Sequence, residues 1–244
     1  MSPDKPLVVV TGANRGLGFA IADRLAAAGY RVVGASRKTS PLFDELAAKY
    51  ARCVLFRSFD LSNIGGHHEW VRSLEKEFGP LYALVNNAAV AHDGVLATMH
   101  DSQTFEMIQV NLTGTIILTK YALRSMLPLR RGRVVNIASI IGSTGFNGLS
   151  VYGATKAALL GFTRALAREV GRANVTVNAI SPGYMQTDMS ASLSKDKLEA
   201  VMRRSPLHQL ATVGDVAAAV EYLLGPSADR ITGINLTVDG GSTA

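Results

Sequence analysis

The sequence predicts an α/β fold in which helices cover both faces of one doubly wound parallel β-sheet. Short apolar runs rich in β-branched residues alternate with alanine-rich segments, as in proteins built from strand–helix–strand units. The runs are continuously apolar rather than alternating, which is typical of strands buried on both faces of a parallel sheet. No repeat, linker or low-complexity tract interrupts this alternation, so we expect a single domain over residues 1–244.

Composition excludes several classes of protein. Hydrophobic residues make up 48% of the chain and charged residues 18%, which provides for a well-buried core and argues against disorder. The single cysteine, Cys53, excludes an internal disulfide and a cysteine-based metal cluster, and its apolar neighbours predict a small buried side chain. The first residues do not resemble a signal peptide, and no apolar stretch reaches the ~18 residues of a membrane span, so we expect a cytoplasmic protein.

The charge balance suggests an anionic partner. The net charge is +6, which would suit a nucleic-acid-binding protein, but the 25 lysines and arginines are scattered and no nucleic-acid motif is present. An anionic cofactor or an acidic carrier protein fits better. Arg130, Arg131 and Arg172 are candidates for a carrier-binding patch, with a solvated cationic face as the alternative.

The first strand, helix and connecting loop predict a dinucleotide site. The β-branched run Leu7–Thr11 leads into a glycine-rich loop and then into an alanine-rich helix that ends near Ala28. The loop has the spacing GxxxGxG, in which glycines let the backbone approach a diphosphate and the helix N-terminus supplies free N–H groups. A purely structural turn is the alternative. The candidate cofactor-binding residues here are Gly12, Asn14, Arg15, Gly16, Leu17 and Gly18.

The second strand, Arg31–Ser36, predicts which dinucleotide binds. At its end many dinucleotide folds carry a carboxylate that binds the ribose 2′-hydroxyl, but this chain has Ser36, Arg37 and Lys38. With Arg15 in the glycine-rich loop, these cations suit a 2′-phosphate. We therefore expect NADP(H) to be preferred over NAD(H), with solvated turn charges as the alternative reading.

A third strand, Cys53–Ser58, is followed by Asp60 and Leu61 at its carboxyl end. A helix from about Glu69 to Phe78 comes next, with His67 and His68 as its polar lead-in. Adjacent histidines face different directions, so no metal site is expected.

A fourth strand, Ala83–Asn86, ends in the sequence Asn-Asn-Ala-Ala, in which Asn87 and Ala88 lie at the predicted ligand edge. One helix is then predicted from about Ser102 to Leu127, and it contains Asn111.

The chemistry is concentrated after the fifth strand, Arg133–Ala138. Ser139 ends that strand, and the helix Val151–Val170 carries Tyr152 and Lys156 four residues apart, on the same face. A lysine cation beside a tyrosine favours the phenolate, so we expect the pKa of Tyr152 to be lowered toward a range useful in acid–base catalysis. A serine hydroxyl can bind the substrate oxygen whose charge changes. An ordinary surface pair is the alternative reading.

The remaining elements complete the alternation. Val175–Ser181 is a sixth strand closed by Pro182–Gly183, Val213–Leu224 is a helix and Asn235–Val238 is a final strand. The polar segment from Tyr184 to Arg204 is predicted to be a mobile flap, with a surface helix pair as the alternative. The ligand should lie outside the carboxyl ends of the strands.

Taken together, these residues resemble the short-chain dehydrogenase/reductase family over essentially the whole chain, and the resemblance implies a Rossmann-like fold and a nicotinamide cofactor. Ala89 stands where the family usually has glycine. The residues that match the family's catalytic set are Asn111, Ser139, Tyr152 and Lys156. The further cofactor contacts that the resemblance implies are Asp60, Leu61, Asn87, Ala88, Tyr152, Lys156, Pro182, Gly183, Met185 and Thr187.

The resemblance also implies roles. Tyr152 would donate a proton to the forming alkoxide, Ser139 would hold the carbonyl oxygen, and Lys156 would lower the tyrosine pKa and bind the nicotinamide ribose. Asn111 would support a water chain that reprotonates the lysine. Within the family the chain is similar to reductases of 3-oxoacyl thioesters held on acyl carrier protein, although Leu149 replaces a frequent glutamine.

Other functions stay open at this point. The same mechanism could act on a free ketone, a sugar or a secondary alcohol, and a cofactor-sensing binding protein could keep the fold without turnover. The family usually forms homodimers or homotetramers through two long helices, here about Ser102–Leu127 and Val151–Val170.

Overall fold

The structure, a computed structural model, describes residues 5–185, 202–203 and 205–244. In this part of the chain seven strands form one sheet in the order β3-β2-β1-β4-β5-β6-β7, and every neighbouring pair is parallel. The predicted doubly wound, Rossmann-like α/β class is confirmed. The strands are β1 Leu7–Thr11, β2 Arg31–Ser36, β3 Val54–Ser58, β4 Leu81–Asn86, β5 Gly132–Ile137, β6 Val175–Pro182 and β7 Asn235–Val238.

Helices pack on both faces of the sheet. They are α1 Gly16–Ala27, α2 Pro41–Lys49, α3 His67–Phe78, α4 Asp101–Ile108, α5 Thr115–Met126, α6 Ile141–Thr144, α7 Ser150–Val170 and α8 Val213–Leu224. Because side chains alternate along a strand, Val8 and Val10 of β1 pack with α1, α2 and α8 on one face, whereas Leu7 and Val9 pack with α3, α5 and α7 on the other. This double burial explains why the strand sequences are continuously apolar.

The order of the strands fixes where a ligand can bind. Consecutive connections run from β1 toward β3 on one side and from β4 toward β7 on the other, so the carboxyl ends of β1 and β4 border a crevice. Thr11, the last residue of β1, joins the two ends. Its Oγ1 accepts hydrogen bonds from the backbone N–H groups of Asn87 at 2.9 Å and Ala88 at 3.0 Å.

Two helical features were not predicted. The helix α2 begins at a Ser-Pro pair, with Pro41 at the first helical position. The Oγ of Ser40 accepts a hydrogen bond from the N–H of Phe43 at 3.1 Å and so caps the helix. The helix predicted as continuous from about Ser102 to Leu127 contains a π-helical segment, Gln109–Gly114, between α4 and α5. That segment includes Asn111.

Two expectations about single side chains were wrong. His67 is not a polar lead-in; it is fully buried at the start of α3, because its Nε2 bonds the carbonyl of Leu61 at 3.1 Å and its ring packs on Phe59. Cys53 is half-buried rather than buried, because it precedes the edge strand β3, and Lys5 lies 3.6 Å from its sulfur.

The described residues assemble no group of three or more metal-ligating side chains. No helix in the described ranges is long and apolar enough to cross a membrane.

Candidate active site

A cleft of about 1640 Å³ opens at the carboxyl edge of the sheet, where the sequence predicted the ligand. Asn111 does not line this cleft, and Thr187, like most of the predicted flap, falls outside the described residues. The predicted residues that line it are Gly12, Asn14, Arg15, Gly16, Leu17, Gly18, Ser36, Arg37, Asp60, Leu61, Asn87, Ala88, Ser139, Tyr152, Lys156, Pro182, Gly183 and Met185.

The glycine-rich loop forms a cradle that only glycine permits. A Cβ on Gly18 would lie 2.2 Å from the carbonyl oxygen of Gly12 and 2.6 Å from the Nδ2 of Asn87. Gly12 has a φ of 67°, a conformation that side chains disfavour. Arg15 is the N-cap of α1, and its side chain makes no cap hydrogen bond to the first N–H groups of the helix. A diphosphate fits this open helix start.

The turn after β2 presents positive charge to the cleft. Arg37 and Lys38 are exposed and line it, and the Oγ of Ser36 donates to the carbonyl of Lys38 at 3.0 Å, which closes the turn. The two cations fit a phosphate group, and none of the three residues is a carboxylate.

Asp60 lies near this turn and is kept ionised. Its Oδ1 accepts from the side chain of Ser62 at 2.7 Å and from the backbone N–H of Ser62 at 2.9 Å, and these bonds lower its pKa. The Arg37 guanidinium lowers the pKa further. The carboxylate is therefore fixed at the cleft wall by its own turn.

Asn87 closes the floor of the cleft between β1 and β4. Its Nδ2 donates to the carbonyl of Thr11 at 2.9 Å, in addition to the backbone bond made to the Thr11 hydroxyl. The side chain predicted to bind cofactor therefore also holds the glycine-rich loop in place.

Ser139, Tyr152 and Lys156 meet in the cleft as the spacing predicted. The hydroxyl of Ser139 lies near that of Tyr152 and lowers the tyrosine pKa. The Nζ of Lys156 lies 5.5 Å from the centroid of the Tyr152 ring, and the lysine is only 3% exposed. Lys156 is therefore directed into the protein, and the reading of an ordinary surface pair is wrong.

The predicted direction of the tyrosine pKa is wrong, because the pKa of Tyr152 is raised and not lowered. Burial raises the pKa of Tyr152 to about 12, and only the hydrogen bond from Ser139 opposes that rise. Burial also lowers the pKa of Lys156 to about 8, and its Nζ donates to the carbonyl of Ile137 at 2.8 Å. The lysine ammonium is thus bound to the Ile137 carbonyl, and burial disfavours its charged form. The tyrosine therefore remains protonated at neutral pH, and this is the form that can donate a proton.

Asn111 holds the loop after β4 against α7. Its Oδ1 accepts from the N–H of Val90 and its Nδ2 donates to the carbonyl of Val90, both at 2.8 Å. The Nδ2 also approaches the Oγ1 of Thr155 at 3.3 Å. The side chain is fully buried, so its contacts are with the elements that carry Tyr152 and line the cleft, not with the cleft itself.

The turn Pro182–Gly183 is held by the end of the chain. The carbonyl of Pro182 accepts from the N–H of Ile140 at 3.1 Å, and a Cβ on Gly183 would lie 2.6 Å from the Cβ of Asp239. Asp239 in turn accepts hydrogen bonds from Thr243 and two neighbours, which folds the last residues toward the cleft.

Sequence reasoning missed several cleft residues because distant segments bring them in. Motif spacing carries no signal for such contacts. The additional lining residues include Asp93, Glu106, Phe146, Ser242 and Thr243.

Comparison with known proteins agrees with this geometry. A family model described as enoyl-(acyl carrier protein) reductase matches residues 12–243. The chain is 36% identical over 244 residues to 3-oxoacyl-[acyl-carrier-protein] reductase of Escherichia coli K12, covering 99% of this chain and 98% of that protein. The corresponding reductase of Pseudomonas aeruginosa is 36% identical over 247 residues, with the same coverage.

A solved structure shows the same architecture. A variant of actinorhodin polyketide ketoreductase with NADPH superposes with a TM-score of 0.92 at 32% identity, covering 99% of this chain and 98% of the other. Motifs, fold and relatives agree: the chain belongs to the short-chain dehydrogenase/reductase family.

Proposed function

We propose that this chain, acting as a single domain, is an NADPH-dependent oxidoreductase that reduces the ketone of a 3-oxoacyl thioester to a secondary alcohol. The observation that carries the proposal is the contact of Ser139, Tyr152 and buried Lys156 at the wall of a cleft large enough for a dinucleotide. Family membership supports carbonyl reduction as the class of reaction.

The residues that would hold NADPH are distributed along the cleft. The start of α1 would bind the diphosphate, and Arg15, Arg37 and Lys38 would bind the 2′-phosphate. The wall of the adenosine half would consist of Asp60, Leu61, Asn87 and Ala88, and that of the nicotinamide half of Tyr152, Lys156, Pro182, Gly183 and Met185. Thr187, which lies outside the described residues, remains an expected contact from the family resemblance. Reduced nicotinamide supplies the hydride in this chemistry.

Side chains of this protein would bind the substrate oxygen and transfer a proton to it. Ser139 would donate a hydrogen bond from its Oγ to the carbonyl oxygen, and Tyr152 would transfer the proton of its hydroxyl to the same atom. With a pKa near 8, Lys156 can exchange its own proton close to neutral pH. Asn111 would position the loop at Val90 and the helix that carries Tyr152.

The substrate class rests on the relatives and on the cleft. The bacterial relatives are named for 3-oxoacyl groups on acyl carrier protein, and the structural neighbour is a polyketide ketoreductase. The main alternative is that the protein reduces a free ketone or a sugar, or oxidises a secondary alcohol. The wall beside the catalytic residues includes apolar Ile140, Ile141 and Leu149, which favours an acyl chain over a sugar.

An acidic carrier has a candidate docking surface, with a constraint on its use. Arg130 donates to the carbonyl of Arg172, and Arg130, Arg131, Arg133 and Arg230 line a second cavity of about 760 Å³. This surface precedes β5, whereas Ser139 follows it, so the two lie at opposite edges of the sheet. A carrier bound there would face away from Tyr152 of the same subunit, and it could serve only the site of a second copy.

A second copy is itself part of the proposal. Phe105 and Ile108 on α4 are 70% and 40% exposed, an apolar surface that a homodimer or homotetramer would cover. Light scattering on the purified protein tests this, and a monomer at all concentrations would contradict it.

The decisive test of catalysis is Tyr152→Phe, which removes one hydroxyl. We expect it to abolish substrate-dependent NADPH oxidation while the affinity for NADPH, measured by fluorescence titration, stays unchanged. Tyr222→Phe, at a 47% exposed position on α8, is the matched control and should keep full activity. Unchanged turnover in Tyr152→Phe would contradict the proposal.

A substrate panel separates the alternatives. Carrier-linked and coenzyme A-linked 3-oxoacyl thioesters should be reduced with higher kcat/KM than small ketones, and NADPH should exceed NADH. Binding of NADPH with no turnover on any substrate would instead indicate a cofactor-sensing protein.

Carrier docking has its own test. Reversing charge with Arg130→Glu or Arg172→Glu should raise KM for carrier-linked substrates and leave KM for coenzyme A thioesters unchanged. Arg72→Glu, on exposed α3 surface away from both cavities, is the control. Equal effects on both kinds of substrate would remove the carrier site.

A further inference from the structure

Phe146 is an apolar side chain presented to the cleft without being packed in the core. It lies on the loop between α6 and α7, it is 57% exposed, and it lines the cleft. Among the large hydrophobic residues of the described chain that are exposed, it is the one that lines this cleft. Exposure of a phenyl ring beside a cleft mouth costs solvation free energy, which a ligand that covers the ring recovers.

The backbone around Phe146 is fixed, so the ring occupies a defined place. Gly145 and Gly148 have φ values of 72° and 81°, conformations that make the tight turns on either side. The carbonyl of Phe146 accepts from the N–H of Leu149 at 3.1 Å, and the carbonyl of Gly148 accepts from the N–H of Gly94 at 3.0 Å. The loop is thereby attached to the loop that follows β4.

The loop is also joined directly to the catalytic helix. The carbonyl of Leu149 accepts from the N–H of Gly153 at 2.7 Å, and Leu149 itself lines the cleft. Tyr152 is in the first turn of the same helix. A ligand whose carbonyl meets Tyr152 therefore extends along a wall that carries Ile141, Leu149 and Phe146.

We propose that Phe146 determines substrate specificity by covering the acyl chain beyond the ketone, which makes the protein selective for medium-length apolar chains over acetoacetyl groups. This inference rests on the proposed function, since it concerns the substrate of the same site. A buried methylene contributes about fourfold in affinity, so a ring that covers two of them contributes on the order of tenfold.

Phe146→Ala tests the proposal. With NADPH, we expect KM for 3-oxooctanoyl coenzyme A to rise about tenfold while KM for acetoacetyl coenzyme A changes less than about twofold. The kcat and the affinity for NADPH should stay unchanged, because Phe146 is neither the proposed proton donor nor part of the glycine-rich loop. Phe146→Leu should keep most of the chain-length preference, since it preserves an apolar side chain.

Two controls exclude a general effect of the substitution. Leu42→Ala removes a similarly exposed apolar side chain from α2, outside the cleft lining, and should alter neither KM. Thermal unfolding of both variants should match that of the wild type.

A binding measurement separates failure of this inference from failure of the proposed function. The unreactive ligands octanoyl and acetyl coenzyme A are titrated by calorimetry into wild type and Phe146→Ala in the presence of NADP⁺. Loss of the preference for octanoyl in the variant supports the role of Phe146 even if no thioester is reduced. The inference is overturned if the substitution changes the affinity for both ligands equally or for neither. It is also overturned if the wild type shows no chain-length preference.

Discussion

The Nζ of Lys156 lies 5.5 Å from the ring centroid of Tyr152, one helical turn away, but it donates its hydrogen bond to the carbonyl of Ile137 at 2.8 Å. The lysine thus faces the same cleft as the tyrosine while being held by β5. Its cation is buried without a carboxylate partner among the described residues. The stability of the protein and the catalysis proposed for it therefore depend on the same group.

The first prediction concerns the stability cost of Lys156. Its pKa of about 8 lies below the ordinary 10.5, so the folded protein disfavours the cation by about 3 kcal/mol at neutral pH. The cost is complete below pH 8 and disappears as pH rises to 10.5, because only the unfolded chain binds the proton in that interval. Lys156→Met should therefore be more stable by about 2 kcal/mol at neutral pH, after loss of the Ile137 hydrogen bond.

Urea unfolding of both proteins from pH 7 upward measures this difference. The advantage of Lys156→Met should shrink as pH rises above 8. A constant difference, or a less stable variant at neutral pH, would show that the cation is not the source of the cost.

The second prediction concerns Ser139. Its hydroxyl is the group that opposes the rise in the Tyr152 pKa, and it would also hold the substrate oxygen. Ser139→Ala should lower kcat on the order of 10²-fold and raise the tyrosine pKa further, while NADPH affinity stays the same. Steady-state kinetics and an ultraviolet titration of tyrosine check the two effects. Ser143→Ala, on α6, is the matched control, and similar losses in both variants would contradict the assignment.

The third prediction concerns cofactor choice. Arg37→Glu replaces a cation at the cleft wall with the carboxylate that favours a ribose hydroxyl. We expect the ratio of kcat/KM for NADPH to that for NADH to fall on the order of 10²-fold, because a charge-assisted bond to phosphate is exchanged for repulsion. Arg72→Glu makes the same charge change on α3 and should leave the ratio unaltered. An unchanged ratio in Arg37→Glu would place the 2′-phosphate elsewhere.

The fourth prediction concerns Asp239. Burial raises the pKa of this carboxyl, but its hydrogen bonds from Thr243, Gly241 and Ser242 outweigh burial and lower the pKa overall. The group therefore contributes stability above its ordinary pKa of 3.8, and that stability is lost as pH falls through the lowered value. Asp239→Asn should raise KM for NADPH several-fold, because Pro182–Gly183 packs on this residue, and should flatten the acid limb of the stability profile.

Thermal unfolding between pH 3 and 7 and cofactor titration measure these effects. Asp239→Ala should lower both the stability and the cofactor affinity more than Asp239→Asn does, because alanine has no side-chain hydrogen-bond acceptor. Normal cofactor affinity in both variants would show that the end of the chain does not support the turn.

The features that could be predicted depend on residues that are close together in the sequence. The glycines at 12, 16 and 18 follow a strand and open a helix, and the spacing of Tyr152 and Lys156 sets their common face whatever surrounds them. The fold class followed from burial of the five inner strands on both faces of the sheet. Strand bounds agreed to within two residues for the same reason.

The features that were wrong or missed depend on distant contacts. The tyrosine pKa reflects desolvation and the route of the lysine hydrogen bond to Ile137, neither of which spacing reveals. The π-helical segment packs closely on a distant loop, because a Cβ on Gly114 would lie 2.3 Å from the carbonyl oxygen of Leu61, and this contact is not visible in local sequence. The inward turn of the last residues depends on one carboxylate, Asp239.

The π-helical segment Gln109–Gly114 has a consequence for how this protein tolerates change in length. A π turn holds an extra residue, so deleting one residue there would let the backbone close into an uninterrupted α-helix. The flanking parts α4 and α5 would keep their relative register, because the wide turn absorbs the extra residue, but the amide of Asn111 would leave Val90. A residue deleted within α4 or α5 instead would rotate one part of this helix against the other by about 100°. The π-helical segment is therefore the place where this helix can lose a residue without a change of register, at the cost of the Asn111 contact.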